Sequence, residues 1–258
     1  MSGPLQGRRV LVTRTRERAA GLVDRLHACG AEAVVVPLIA TVVIATPEAI
    51  AAEAARLASA QGARWAAFTS ATAVRLVMGV VEPAAMAGVR LAAVGDETAR
   101  ALRERGHEPS LVPADASAAG LARALRERGA HGATVWFPAA EGAGPALERA
   151  LSAAGARVWR QNVYRSEMPA GAPQRLWAAL DRPVDAVTLT SGSTARNLLI
   201  ALEGRALDPA VLIACIGETT ARQARAAGLT NVAAAAEPSA EALVGLLRAR
   251  LGAAQPLP

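Results

Sequence analysis

The chain repeats itself, and this internal duplication limits its fold more than any other feature of the sequence. The segment RLAAVGDETARALRERG resembles LIACIGETTARQARAAG, and Gly217 of the second follows Gly95 of the first by 122 positions. Upstream, Gly155 follows Gly30 by 125 positions, so small insertions separate the matches. The sequence therefore predicts two similar modules, and a cleft between modules is the default place for a ligand.

Both copies alternate short β-type runs with Ala, Leu and Arg stretches of helical period. This pattern is typical of βαβ units around parallel sheets, so the predicted class is α/β. Strands are predicted at 10–13, 33–36, 65–69, 91–94, 134–137, 156–159, 186–190 and 212–216. Helices are predicted at 17–28, 48–59, 97–105, 118–128, 146–154, 194–202, 219–227 and 240–250.

The charges are unusual because all 28 basic residues are arginine. The absence of lysine excludes a Walker-type phosphate lysine and a Schiff base with a substrate or pyridoxal phosphate. The net charge of +6 favours planar, bidentate recognition of carboxylate or phosphate, although a solvated surface explains it equally. Aromatic residues make up 3% of the 258 positions, so stacking on single-stranded nucleic acid is disfavoured.

Cys29 and Cys215 lie far apart and form no metal-binding spacing with the histidines. Neither a disulfide framework nor a zinc site is therefore predicted. No apolar run is long enough for a membrane span, and the amino terminus lacks the apolar core of a secretion signal. We expect a cytoplasmic protein that contacts no membrane.

Two Gly-x-x-Thr segments, GDETA and GETTA, each lie where a predicted strand turns into a helix. Amides in the first turn of such helices offer donors and a positive dipole to an anion at the carboxyl edge of a parallel sheet. Gly95, Thr98, Gly217, Thr219 and Thr220 are therefore candidate substrate-binding residues. The threonines serve equally well as residues that begin helices.

Other candidates also follow strands. Ser70 and Ser191 could direct hydroxyls into a cleft, but neither lies in a Gly-x-Ser-x-Gly nucleophile elbow. Thr13 and Arg14 end the first strand, where an arginine can clamp a carboxylate or remain solvated. Tyr164, the only tyrosine, could donate a proton into a cleft or form an aromatic contact.

In order and spacing, several segments together resemble the uroporphyrinogen-III synthase family over nearly the whole chain. These segments are VLVTR, FTSATAV, AAVGDETARAL, NVYR, LTSGST, ACIGETTARQA and PSAEALVGLL. The resemblance implies a HemD-like fold: two flavodoxin-like parallel-sheet domains joined by a two-stranded linker. The implied domains are 1–36 plus 166–258 and 41–160, with linker strands at 37–40 and 161–165.

The resemblance also implies a carbon–oxygen lyase of heme biosynthesis that acts on hydroxymethylbilane, a linear tetrapyrrole polycarboxylate. The implied reaction is a dehydrating ring closure that inverts the last pyrrole through a spirocyclic intermediate, without cofactor or metal. A monomer is implied, with room for a transient contact with hydroxymethylbilane synthase.

By matching motifs, several residues resemble those that line the family's cleft, and Tyr164 resembles its candidate acid. The matching residues are Ser70, Thr98, Tyr164, Ser191, Thr219 and Thr220. Thr13 and Arg14 match the family's opening motif, although Thr15 replaces the proline that commonly follows. Two alternatives remain: a non-catalytic carboxylate-binding or sensory module on the same scaffold, and a basic nucleic-acid-binding protein.

Overall fold

The computed structural model describes residues 3–252 and contains two compact units. Unit 1 combines the chain up to Ala40 with the chain from Glu167 onward, and unit 2 is Thr41–Ser166. The strands are β1 Arg9–Val12, β2 Glu32–Val35, β3 Ala40–Val43, β4 Arg64–Phe68, β5 Arg90–Ala93, β6 Thr134–Ala140, β7 Arg157–Glu167, β8 Ala186–Leu189, β9 Leu212–Cys215 and β10 Val232–Ala234. The helices are α1 Arg16–Ala28, α2 Pro47–Ala58, α3 Ala71–Val77, α4 Asp96–Arg103, α5 Ala118–Glu127, α6 Ala146–Ala153, α7 Ala172–Leu180, α8 Gly192–Leu202, α9 Glu218–Ala226 and α10 Ala240–Leu251, with a short 3-10 helix at Pro83–Met86.

The sheet of unit 1 has the strand order β10-β9-β8-β1-β2, with parallel pairing throughout. Numbered within the unit, this is the flavodoxin order 2-1-3-4-5. Leu11 and Val187 pack into the core on one face of the sheet, whereas Val10 and Val12 pack into the core on the other. Because both faces are covered by helices, the strands are continuous apolar runs.

The sheet of unit 2 has the order β3-β7-β6-β4-β5. Phe68 and Trp136 are buried on one face, beneath α2 and α3, and Trp65 and Phe137 are buried on the other. The chain proceeds outward from β4 to β5 on one side of this sheet and from β6 to β7 on the other side. The direction of the strand order therefore changes between β4 and β6. This reversal is the switch point at which ligands bind in open parallel sheets.

The duplication explains why the two sheets correspond. The segment β1-α1-β2 of unit 1 has its counterpart about 125 positions later in β6-α6-β7 of unit 2. The segment from β4 to α5 has its counterpart about 122 positions later in β8 to α10 of unit 1. Each unit therefore takes one part from each copy, which is a reciprocal exchange between the two copies.

One proline marks a difference between the copies. Pro37 lies between β2 and β3, whereas its counterpart 125 positions later is Asn162, inside the continuous strand β7. Proline cannot donate a hydrogen bond to a central ladder, so the first copy breaks where the second continues. Gln161, Asn162 and Tyr164 of β7 pair with β6 in the sheet of unit 2. The linker role of 37–40 and 161–165 stays a prediction.

The α/β class and the pair of flavodoxin-like parallel sheets are confirmed, and each predicted strand and helix overlaps an element of the structure. The predictions omitted the 3-10 helix and three other short elements, α3, α7 and β10, which have seven, nine and three residues. Such lengths are too short for a periodic pattern to be distinctive. Of β3, only Ala40 falls within a predicted strand, the linker at 37–40. Within residues 3–252, no helix has the length and apolar character needed to cross a membrane.

Candidate active site

Ser70 lies at the switch point of unit 2, directly after β4. It is the N-cap of α3, and its Oγ accepts a hydrogen bond from the Ala73 amide at 3.1 Å. Serine suits this position because its short side chain folds back onto the first turn of the helix. Ser70 is half-buried, so the fold fixes its hydroxyl while leaving part of the side chain exposed.

Tyr164 lies on β7 and is bound to the same serine. Its phenol donates a hydrogen bond to Ser70 Oγ at 3.0 Å, and its side chain is only 8% exposed. The Glu141 amide donates to the Tyr164 carbonyl at 2.8 Å, which holds the end of β7 against the loop after β6. The phenol proton therefore points at Ser70. The serine oxygen accepts two hydrogen bonds and retains its own hydrogen for a third group.

Arg160 stabilises this edge of unit 2 and was not anticipated from the sequence. Its guanidinium donates to the carbonyls of Glu141 and Ala143, each at 2.8 Å, and also to the carbonyl of Ala140. Its Nε donates to Asn162 Oδ1 at 2.7 Å. Arg160 thus ties the loop after β6 to the strand that carries Tyr164. In a chain with 28 basic residues, no short motif distinguished it.

The first Gly-x-x-Thr turn also lies in unit 2. Gly95 is the N-cap of α4 in an extended conformation, and no side chain caps the turn. A Cβ at this position would lie 2.9 Å from the Cβ of Ala116, so the turn is covered at close range. Thr98 is only 4% exposed, and Asp96 and Glu97 occupy the first turn. Both carboxylates oppose the binding of an external anion here.

The second Gly-x-x-Thr turn, in unit 1, is more open. Gly217 is the N-cap of α9 without a capping side chain, and a Cβ at Gly217 would meet no atom within 4 Å. Thr219 is exposed, whereas Thr220 is buried. The one acidic residue of the first turn, Glu218, forms an ion pair with Arg225 at 2.9 Å. This turn offers its backbone donors with less competing negative charge.

Thr13 and Arg14 are two further candidates of unit 1, directly after β1. Thr13 is fully buried, and its hydroxyl donates to the Thr188 carbonyl at 2.7 Å, while the Thr188 hydroxyl donates to the Leu11 carbonyl at 3.0 Å. The Thr13 hydroxyl is therefore used inside the sheet, and the substrate-binding role of Thr13 stays a prediction. Arg14 is half-buried at the end of the strand.

Ser191 is the counterpart of Ser70 in unit 1 and forms a capping box with Thr194. Its Oγ accepts from the Thr194 amide at 3.2 Å, and the Thr194 hydroxyl accepts from the Ser191 amide at 3.1 Å. The Ser-x-x-Thr spacing is the signal that could have identified this box. No tyrosine takes part here, because Ile39 stands 125 positions before Tyr164, where the repeat places its counterpart.

Cys215 ends β9, two residues before Gly217. Burial raises the pKa of its thiol to about 11, so the sulfur is protonated at neutral pH. A protonated, fully buried thiol is a poor nucleophile. Among residues 3–252, no three His, Cys, Asp or Glu side chains lie together as a metal site would require.

Comparisons with known proteins agree with this architecture. No curated protein sequence matches the chain significantly. The structure is similar to a mutant uroporphyrinogen III synthase of the extreme thermophile Thermus thermophilus, with 25% identity, a TM-score of 0.63, and coverage of 94% of this chain and 98% of that one. It also shares the fold of the uroporphyrinogen-III synthetase of Helicobacter pylori, at 15% identity, with a TM-score of 0.63 and coverage of 94% and 99%.

The sequence profile described as uroporphyrinogen-III synthase HemD matches residues 20–245, which is most of the chain. Because this match includes most of both copies of the repeat and all the candidate residues after Arg14, the chain belongs to the uroporphyrinogen-III synthase HemD family of heme-biosynthesis enzymes.

Proposed function

We propose that this chain closes hydroxymethylbilane into uroporphyrinogen III as a carbon–oxygen lyase, inverting the last pyrrole through a spirocyclic intermediate. Family membership supports the reaction class. The observation that carries the mechanism is the hydrogen bond from Tyr164 to Ser70 at 3.0 Å, at the switch point of unit 2. The two hydroxyls lie at the carboxyl edge of the sheet, where ligands of parallel-sheet folds bind.

The first chemical step breaks the carbon–oxygen bond of the terminal hydroxymethyl group, and the oxygen leaves as water. The leaving oxygen needs a proton, and Ser70 holds the hydroxyl hydrogen that no other group of its turn uses. Tyr164 donates to the same oxygen. As Ser70 releases its hydrogen to the leaving hydroxyl, Tyr164 replaces it, and the negative charge resides on the phenolate.

The subsequent carbon–carbon bond formation requires orientation more than further acid. The substituted carbon of the last pyrrole must reach the methylene carbon before the unsubstituted carbon does, so positioning supplies most of the rate advantage. Arg160 contributes indirectly because it fixes the loop beside Tyr164. We infer that it is a positioning residue.

The carboxylates of the substrate need several weak anchors. The open turn at Gly217, with Thr219 exposed, is better suited to a carboxylate than the covered, acidic turn at Gly95. Ser191 lies at the carboxyl edge of the same unit, and arginines contribute long-range attraction. We propose that the protein works as a cytoplasmic monomer, with at most a transient contact with hydroxymethylbilane synthase.

Product analysis tests the proposal. Hydroxymethylbilane is generated in situ, the purified protein is added, and the uroporphyrinogen isomers are separated after oxidation. We expect the inverted isomer to dominate. If the uninverted isomer dominates as it does without protein, the proposed reaction is wrong and the chain is a binding protein.

A further inference from the structure

A cavity lies in unit 2, away from Ser70 and Tyr164. It has a volume of about 330 Å³ and is lined by Arg56, Ala60, Gln61, Thr134, Arg157 and Trp159. Thr134 and Arg157 are the first residues of β6 and β7, so the cavity is at the amino edge of the sheet. Since β6 rises about 3.3 Å per residue along its seven residues, the two edges are about 20 Å apart.

The strand register produces a row of basic and hydroxyl side chains at this edge. Thr134 pairs with Arg64 of β4 on one side and with Arg157 of β7 on the other. Residues in register on neighbouring parallel strands are on the same face of the sheet. The hydroxyl of Thr134 therefore lies between two arginine side chains, on the face that α2 covers.

Several buried polar atoms around this row have no partner among the described residues. Thr134 is 3% exposed, and its Oγ1 has no hydrogen-bond partner. Arg64 Nε and Trp159 Nε1 are also buried without a hydrogen-bond partner, and both atoms can only donate. One acceptor, Gln161 Oε1, is also without a partner, while its amide donates to the Ala49 carbonyl at 3.1 Å. Of these residues, Thr134 and Trp159 line the cavity, and their unpartnered atoms can both donate, which favours a ligand with acceptor oxygens.

The charges at the cavity mouth also favour an anionic ligand. Arg157 is exposed and forms no ion pair with any described residue. Arg56 stacks over the Trp159 ring at 4.4 Å and is paired with Glu53 at 3.2 Å, so one carboxylate is already present on that side. Arg64 Nη1 donates a hydrogen bond to the Ala58 carbonyl at the end of α2. Its Nε takes no part in this hydrogen bond and has no partner.

We propose that this cavity binds a small oxyanion, a carboxylate or a phosphate, between the lining residues Arg157 and Thr134. A volume of about 330 Å³ is at the lower end of ligand pockets, so the bound group is small. Arg157 supplies the bidentate guanidinium that such anions prefer. The site is independent of the proposed cyclisation because it lies at the opposite edge of the sheet.

Calorimetric titration of the full-length protein with inorganic phosphate and, separately, with propionate tests the site, with sodium chloride at matched ionic strength as the reference. Phosphate represents a free anion, and propionate represents the carboxylate arm of a larger molecule. We expect saturable binding of at least one of them, and the tighter of the two identifies the source. We expect Arg157→Gln to weaken the binding about tenfold, because it removes a charge-assisted pair.

Two further variants separate the site from general charge and from trapped water. Arg149→Gln removes an exposed arginine of α6 in the same unit and should leave the affinity unchanged. Thr134→Val should raise the Tm of the ligand-free protein, because it removes an unpartnered buried hydroxyl, and should weaken anion binding. Equal losses in Arg157→Gln and Arg149→Gln, or no saturable binding of either anion, would overturn the proposal and leave a cavity filled by water.

Discussion

The two Gly-x-x-Thr turns have nearly the same sequence and different surroundings. At Gly95, Ala116 covers the turn and two acidic residues occupy the first helical turn. At Gly217 the space is open, and Thr219 stands where the first copy has Glu97. Duplication has therefore preserved the backbone conformation of the turn without preserving its access or its charge.

The switch points show a second difference between the copies. Ser70 and Ser191 each cap a helix with the same amide hydrogen bond, at 3.1 and 3.2 Å. Only Ser70 also receives a phenol, because the counterpart of Tyr164 in the other copy is Ile39. The proposed acid chemistry is thus confined to unit 2, whereas the open turn that we propose binds a carboxylate is in unit 1. The following variants test this division.

Tyr164→Phe should have the largest effect, a loss of roughly tenfold or more in the rate of inverted-isomer formation. The substitution removes the phenol proton and leaves the buried ring in place. Rates are measured with hydroxymethylbilane generated in situ, and folding is checked by thermal unfolding. The matched variant Ile39→Val, at the counterpart position, should retain activity. Equal rates in Tyr164→Phe and the unmodified protein would remove the phenol from the mechanism.

Ser70→Ala should lower kcat severalfold, because the proposed relay loses its outer hydroxyl. It also removes an N-cap, which costs about 1 kcal/mol of stability. Ser117→Ala removes an equivalent cap, from α5 of the same unit, and controls for that loss. If both variants reduce kcat equally, Ser70 acts only as a helix cap. Combined with Tyr164→Phe, Ser70→Ala should add little further loss, since both residues belong to one relay.

Gly95→Ala and Gly217→Ala compare the space around the two turns directly. Both glycines are extended, with φ of −177° and −179°, so neither substitution strains the backbone. The new methyl group at Gly95 would crowd Ala116, whereas the one at Gly217 meets open space. We expect Gly95→Ala to be the less stable variant, by about 1 kcal/mol or more. Equal free energies of unfolding in denaturant titrations would show that Ala116 yields without cost.

The sequence predicted the fold well because hydrophobic periodicity and the match between the two copies can both be recognised in short segments of sequence. It could not predict which copied residues would be accessible. Thr13, for example, follows a strand, which is a common position for binding residues. Its hydroxyl, however, donates a hydrogen bond to the Thr188 carbonyl of the neighbouring strand. The pairing of Tyr164 with Ser70 joins residues 94 positions apart, and no spacing rule predicts such a contact. Arg160 was missed for the same reason, since its carbonyl partners come together only when β6 and β7 pair.

Burial also determines which threonine can test the proposed binding of a carboxylate at the Gly-x-x-Thr turns. Thr98 and Thr220 are 4% and 6% exposed, so a carboxylate at either position would destabilise the protein whatever the turn binds. Thr219 is exposed and lies in the first turn of α9. It is therefore the position where added charge reports on a ligand rather than on folding.

Thr219→Asp should have the smallest of these effects, a severalfold rise in KM with kcat nearly unchanged. An exposed charge near a helix terminus contributes about 0.3 to 1 kcal/mol, and here it would repel a substrate carboxylate. Thr219→Ala should change KM less, because the backbone donors remain. Glu97→Thr, which changes GDETA to GDTTA and so introduces the threonine of the second turn, should leave KM unchanged, because Ala116 still covers Gly95. If Glu97→Thr lowers KM as much as Thr219→Asp raises it, both turns bind carboxylates, and the difference in access would have no functional consequence.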